Sequence, residues 1–153
     1  MIILKEGTPV LVQGITGREG SFHTGLMLQS GTHIIAGVTP GRSGSQVEGV
    51  PVYNTIGEAV SRHGPIELSV VFVPPAHCFT AILEALDAGL KWVVVVTEGI
   101  PLKDTLWLVH YAKYRGCHII GPNCPGLISP AVGKVGIIPA SAFAPGHVGL
   151  ISR

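Results

Sequence analysis

Charge is what this sequence has least of. Only 12% of its 153 residues are charged and the formal net charge is +1, which removes any broad electrostatic case for nucleic acid or an acidic membrane surface as a partner. Cysteine is equally thin. Cys78, Cys117 and Cys124 are an odd number without metal-ligand spacing; they imply no disulfide framework and fit a reducing compartment. The seven histidines (His23, His33, His63, His77, His110, His118 and His147) show no His-x-x-x-His pairing, so no metal cage is expected. Long apolar runs are missing too. The longest, Trp92 to Val96, is strand-sized and far from a bilayer span. Lys5 and Glu6 beside a short apolar start do not read as a signal peptide, and the expected location is cytoplasmic, or the mitochondrial matrix in a eukaryote.

What the chain does have is apolar residues, at 46%, together with 21 glycines and 12 prolines that form no low-complexity tract. That composition fills the core of one domain and implies many tight connections. The pattern predicts alternating strands and helices. Val10–Gln13 reads as a strand, Glu19–Gln29 as a helix, and His33–Val38 as a second strand. A loop follows over Thr39–Gly49, then a short extended piece at Val50–Tyr53. Thr55 reads as the N-cap of a helix to about Arg62, with Glu58 completing a capping box. Leu68–Val73 is a third strand, stopped by Pro74 and Pro75. Ala76–Ala88 is a helix ended by Gly89, Trp92–Val96 a strand, Lys103–Arg115 a helix ended by Gly116, and His118–Ile120 a strand. In the tail, Gly133–Ile138 and His147–Ser152 read as short strands.

Val- and Ile-rich strands separated by amphipathic helices indicate an α/β, Rossmann-like doubly wound fold, with a mainly parallel sheet and helices on both faces. Ligands of such folds bind beyond the carboxyl ends of the strands. Here those ends are Gly14–Gly20, Thr39–Ser43, Pro74-Pro75, Thr97–Pro101 and Gly121–Gly126, all rich in Gly, Pro or small polar residues. The first is the most telling. A strand that enters Gly14-Ile15-Thr16-Gly17-Arg18-Glu19-Gly20 and leaves as a helix aims unpaired backbone N–H groups at whatever lies in front, which suits a phosphate. The glycines stand at positions one, four and seven, with Ile15 in place of a fingerprint glycine, so the loop does not specify a dinucleotide. The second strand also ends without the acid that would take a nicotinamide cofactor's ribose: it runs Val38-Thr39-Pro40-Gly41-Arg42.

Single residues carry alternatives. Arg18 and Glu19 can meet ligand or pair with each other, and Arg42 can hold a phosphate or sit in solvent. Glu98 accepts hydrogen bonds from ligand, or caps the next helix or forms an ion pair inside its loop. Asn123 bonds ligand or shapes its turn. Cys124 lines the thiol end of a ligand or packs, with no His–Asp set to make it a nucleophile. His23 is expected to hydrogen-bond backbone behind the first loop, and Trp92 and Trp107 to be core or interface aromatics.

Four motifs stand in order. They are Gln13-Gly14-Ile15-Thr16-Gly17-Arg18-Glu19-Gly20 with Phe22-His23, Gly37-Val38-Thr39-Pro40-Gly41-Arg42, Thr97-Glu98-Gly99-Ile100-Pro101, and Ile120-Gly121-Pro122-Asn123-Cys124-Pro125-Gly126. With the terminal Gly149-Leu150-Ile151-Ser152-Arg153, they closely resemble the alpha subunit of succinyl-CoA synthetase across essentially the whole chain. The resemblance implies a CoA-binding domain over residues 1–130, and a hairpin or linker over 131–153 leading toward a ligase domain that is not in this sequence. It places CoA against Thr16, Gly17, Arg18 and Glu19, against Arg42 (where lysine is common), and against Val96, Thr97 and Glu98. Phe72 and Pro74 form the wall beneath its nucleotide or pantetheine arm. It further implies an acid–thiol ligase that works through an acyl phosphate and a phosphohistidine beyond Arg153. ATP or GTP with Mg²⁺ is held mainly by a beta subunit, and succinate is the default acid, with malate used by related ligases. This chain alone is then expected to be inactive. Two other readings stay open, a free-standing CoA-binding carrier or regulator and a nicotinamide-binding oxidoreductase module.

Overall fold

The computed structural model describes residues 3–152. A seven-stranded sheet runs β3-β4-β2-β1-β5-β6-β7. Its strands are β1 (Val10–Gln13), β2 (Ile34–Val38), β3 (Gln46–Val47), β4 (Val50–Tyr53), β5 (Leu68–Val71), β6 (Trp92–Val95) and β7 (His118–Ile120). Every pairing is parallel except that of β3 with β4. The central strands β1 and β5 are buried along their whole length, which is why they lack the polar alternation of a half-exposed strand; their polar residues, Gln13 and Ser69, are buried against each other.

Helices α1 (Arg18–Gln29), α2 (Ile56–His63), α3 (Pro75–Asp87) and α4 (Leu102–Arg115) divide unequally between the faces. Ile56 and Ala59 of α2, Ile82, Ala85 and Leu86 of α3, and Leu108 and Ala112 of α4 pack into one core with Leu11, Val71, Val93 and Val95. Met27 of α1 joins Ile15, Val12, Val70 and Val94 in the other. No helix links β2 to β4. The α1 face is instead completed by an antiparallel hairpin of β8 (Gly126–Ser129) and β9 (Gly133–Gly136). Val135 of β9 is fully buried in that core. Thr32, past the end of α1, exchanges two hydrogen bonds with β9: its Oγ1 donates to the Lys134 carbonyl at 2.6 Å and accepts from the Lys134 amide at 3.0 Å.

Several boundaries differ from the sequence expectation. The third strand ends at Val71 and the fourth at Val95, so the residues before Pro74 and at Val96 belong to the loops. The Thr39–Gly49 loop contains the two-residue β3. Gly126, expected as the end of a binding loop, is the first residue of β8. The tail strand at His147–Ser152 does not form: no strand is assigned there, and Val148, Leu150 and Ile151 lie exposed. Apolar alternation needs a neighbouring strand, and among the described residues this segment has none. The capping box at α2 is shifted by one residue. Thr55 accepts from the Glu58 amide at 3.1 Å as expected, but the Glu58 carboxylate takes the Asn54 amide at 2.9 Å. Glu84 of α3 reaches across to the Ile56 amide at 2.7 Å.

Candidate functional site

Strand order reverses at β1, which pairs with β2 on one side and β5 on the other. That is the topological switch point, and the crevice beyond it is where an open α/β sheet holds ligand. The glycine loop closes it tightly. Gly14 leaves β1 with φ +78°, and a Cβ there would meet the Phe72 backbone at 3.1 Å. A Cβ on Gly20 would come 2.1 Å from the Gly14 carbonyl oxygen. The turn is closed by the Gly17 amide donating to that same carbonyl at 3.0 Å. Ile15, in place of a fingerprint glycine, is fully buried and packs where Gly37 of β2 has no side chain. The position therefore serves the core and not the ligand.

Gly17 is the N-cap of α1 and, being glycine, gives no side-chain cap. The first-turn amides of Arg18, Glu19 and Gly20 face the crevice free for an anion, and the helix dipole adds to their pull. On the other face of β1, toward α3, the Gln13 side chain braces the end of the strand. Its Nε2 donates to the Ala81 carbonyl at 2.7 Å and its Oε1 accepts from Ser69 at 2.8 Å.

The sequence-predicted residues lie on the loops that follow β1, β2, β5, β6 and β7, at the carboxyl edge of the sheet. Thr16 is held at the rim, its amide 3.4 Å from Thr39 Oγ1. Arg18 and Glu19 stand in solvent, 4.0 Å apart in a loose ion pair. Arg42 is exposed in the second loop. That loop is ordered by a residue sequence reasoning passed over: the Asn54 side-chain carbonyl accepts from the Gly41 amide at 2.8 Å and from the Ser43 amide at 3.4 Å. An asparagine directly before the Thr55 cap was the available signal. Phe72 and Pro74 follow β5. Val96, Thr97 and Glu98 follow β6, with Thr97 Oγ1 donating to the Val73 carbonyl at 2.8 Å. No side chain caps α4, so Glu98 does not take that structural role.

Asn123 adopts φ +52° and its amide donates to the Thr97 carbonyl at 3.0 Å; it shapes the turn that joins the β6 and β7 loops. Cys124 is half-buried with Sγ 3.3 Å from the Val95 carbonyl, and burial raises its thiol pKa, the wrong direction for a nucleophile at neutral pH. Cys78 and Cys117 are raised by burial as well.

His23 departs from expectation. It makes no backbone hydrogen bond, and its Nδ1 is buried without a partner. Its ring lies parallel to Phe72, 5.6 Å between centroids, while Nε2 stands 3.6 Å from the Glu19 carboxylate. It thus joins the wall of the crevice to the lip of the glycine loop. Desolvation lowers its pKa most, the Lys134 ammonium lowers it further, and Glu19 opposes both. Among the described residues no group of His, Cys, Asp and Glu is placed to hold a metal ion, and no helix is long and apolar enough to cross a membrane. Trp92 stacks on His118 at 4.4 Å, and Trp107 joins an aromatic row with Phe79 and Tyr111 on α3 and α4.

Residues 5–99 match the family described as the CoA binding domain. Over 152 residues the chain is 52% identical to subunit alpha 2 of an ADP-forming succinate–CoA ligase from Archaeoglobus fulgidus, covering 99% of this chain and 53% of that one. It is 46% identical to the alpha subunit of a malate–CoA ligase from Methylorubrum extorquens, covering 99% and 52%. The chain thus spans about half the length of the curated relatives it matches. Among solved structures, an ATP citrate lyase from Methanosaeta concilii in complex with (3S)-citryl-CoA superposes with a TM-score of 0.75 at 22% identity, over 88% of this chain and 24% of that one. At that identity the likeness is one of fold.

Proposed function

The chain belongs to the CoA binding domain family, and from that premise we propose that it is the CoA-binding part of the alpha subunit of a succinate–CoA ligase. The whole enzyme would join a carboxylic acid, CoA and a nucleoside triphosphate to give acyl-CoA, nucleoside diphosphate and phosphate. The nucleotide would be bound with Mg²⁺ on a beta subunit. The task of this chain is to hold CoA so that its thiol reaches an acyl phosphate made elsewhere in the complex. Succinate is the acid named for several relatives, and malate for another.

The observation that carries this reading is the uncapped N-terminus of α1 above a loop too tight for any side chain at Gly14 or Gly20. CoA brings phosphates and a pantetheine arm. The free amides of Arg18, Glu19 and Gly20 suit the phosphates, with Arg42 as an exposed planar cation on the facing loop. Phe72, Pro74 and Val96 offer an apolar wall for the arm. Thr97 and Glu98 present acceptors to its amide N–H groups, and Asn123 and Cys124 lie by the β7 end of the crevice. Residues 1–130 would form the binding domain, and 131–153 would lead toward the catalytic part of the subunit.

Isothermal titration with CoA, with NAD⁺ and ADP as controls, tests this. The expected result is selective CoA binding, weakened by Arg42→Ala. Binding of NAD⁺ in preference to CoA would refute it.

A further inference from the structure

Large apolar side chains are exposed unevenly. Of the eleven exposed among the described residues, five lie on α4: Leu102, Leu106, Trp107, Val109 and Tyr114. No other helix carries more than one. The helix already gives Leu108 and Ala112 to the core beneath it, so it is apolar on its outer side as well as its inner one. A helix of that kind is made to be covered on both sides. One flank of the outer side is also preset. The Trp107 ring lies 5.3 Å from Phe79 of α3 and 4.9 Å from Tyr111, and Tyr114 continues the row at 6.3 Å. Side chains already held against one another lose little freedom on docking.

The spacing says what shape covers the helix. Leu102, Leu106 and Val109 step by four and by three, and a further step of four reaches Lys113. That rhythm is the 3.5-residue seam by which one helix packs on another. The seam is also self-complementary. Set antiparallel about a two-fold axis, α4 places its Leu106 against Val109 of a second copy, and its Val109 against that copy's Leu106. The aliphatic stem of Lys113 then covers Leu102 at each end. Charge favours the same direction. Asp104 stands in the first turn of α4, and Lys113 and Arg115 in the last, so antiparallel helices set an acidic end beside a basic one, where parallel helices would set Lys113 beside Lys113. The area suffices as well. The five side chains expose on the order of 600 Å² together, at the top of the range for a monomer's largest apolar patch and close to the ~800 Å² that each partner gives to a standard interface.

We propose that a second copy of this chain covers α4, helix against helix and antiparallel, about a two-fold axis at the Leu106–Val109 seam. Helix α4 belongs to the core on the opposite face of the sheet from α1, so the pairing leaves the start of α1 open. The inference does not depend on what the crevice binds.

The test is sedimentation velocity on the chain, beside melting followed by circular dichroism. The wild-type chain should sediment at twice its 16.0 kDa at about 1 mM and fall to monomer on dilution. Leu106→Lys and Val109→Glu each put a charge into the seam, and each should be monomeric at the same concentration. Both positions are exposed, so both variants should still melt cooperatively. Mixed in equal amounts, the two variants should recover the dimer. Antiparallel pairing sets the new ammonium of one against the new carboxylate of the other and leaves the second contact, Leu106 on Val109, intact; parallel packing gives neither. A wild-type chain that stays monomeric at about 1 mM would give the seam to a different protein and overturn the inference. Dimers that persist in both single variants would move the interface off α4 and overturn it too. Two monomeric variants that stay monomeric on mixing would overturn the two-fold seam.

Discussion

Two glycine-rich loops face each other across the crevice, and their glycines are there for different reasons. In Gly14–Gly20 the glycines are sites of contact. The chain passes so close to itself that a methyl group on Gly20 would overlap the Gly14 carbonyl, and one on Gly14 would press the Phe72 backbone. In the Thr39–Gly49 loop, Gly41, Gly44 and Gly49 all have positive φ, yet a Cβ on any of them meets nothing within 4 Å. The first loop is rigid because it is crowded. The second is uncrowded at its glycines and keeps its shape through hydrogen bonds, among them those from the Gly41 and Ser43 amides to Asn54 and from the Ser45 hydroxyl to the Arg42 carbonyl. A crowded loop suits the fixed end of a ligand, the phosphate on a helix N-terminus. An open one suits a cation that closes over the ligand after it arrives.

The contrast can be broken at its strongest point first. Gly20→Ala should cost about 3 kcal/mol, since backbone and not a flexible side chain opposes the new methyl. For a domain of this size that is a fall of roughly 10 °C in Tm, with CoA binding lost. Asn54→Ala should act the other way round. It should leave Tm within about 3 °C of wild type, since exposed hydrogen bonds contribute about 1 kcal/mol, while weakening CoA binding through disorder around Arg42. Titration calorimetry beside a melting curve separates the two patterns. Gly44→Ala, strained only by its positive φ, should cost about 1 kcal/mol with little effect on affinity. The smallest effect is one of pH, at the helix that the first loop enters. The folded-state pKa of His23 lies below its ordinary value, so the unfolded chain takes up the proton first. The associated stability is complete above about pH 6.5 and is lost as pH falls through the lowered folded value. Melting curves at pH 7.5 and 5.5 should show an acid loss that His23→Gln reduces.

Much of this was legible in the sequence because the elements are dictated locally. Val10–Gln13 and Leu68–Val73 read as buried strands, and the structure keeps the first and ends the second at Val71. Thr55 announced its helix, and Gly116 ended another in the left-handed conformation. The Gly14–Gly20 spacing announced a tight strand-to-helix turn, with Gly17 at the start of the helix. What stayed hidden depends on partners distant in the chain. The hairpin strand Gly126–Ser129 exists because Gly133–Gly136 lies beside it, and its first residue looked like the end of a loop. Lys134, between glycine and valine, carried no sign that its ammonium would be buried. Asn54 fixes amides 11 and 13 residues earlier, a reach no local pattern encodes. The His147–Ser152 segment shows the opposite error, strand-like residues with no strand to join.

The exchange of two hydrogen bonds between Thr32 and Lys134 spans 102 residues, and that separation sets an order of events during synthesis. Strands β1 and β2 and helix α1 leave the ribosome long before β9 does. Until β9 arrives, the helix that would cradle phosphate has one flank bare, with Met27 and Thr32 uncovered. Closing so long a loop is among the slower steps available to a small domain. A nascent chain would thus complete most of its sheet before it completes its ligand site, and a ribosome stalled before Gly133 would display a folded sheet with an unfinished one.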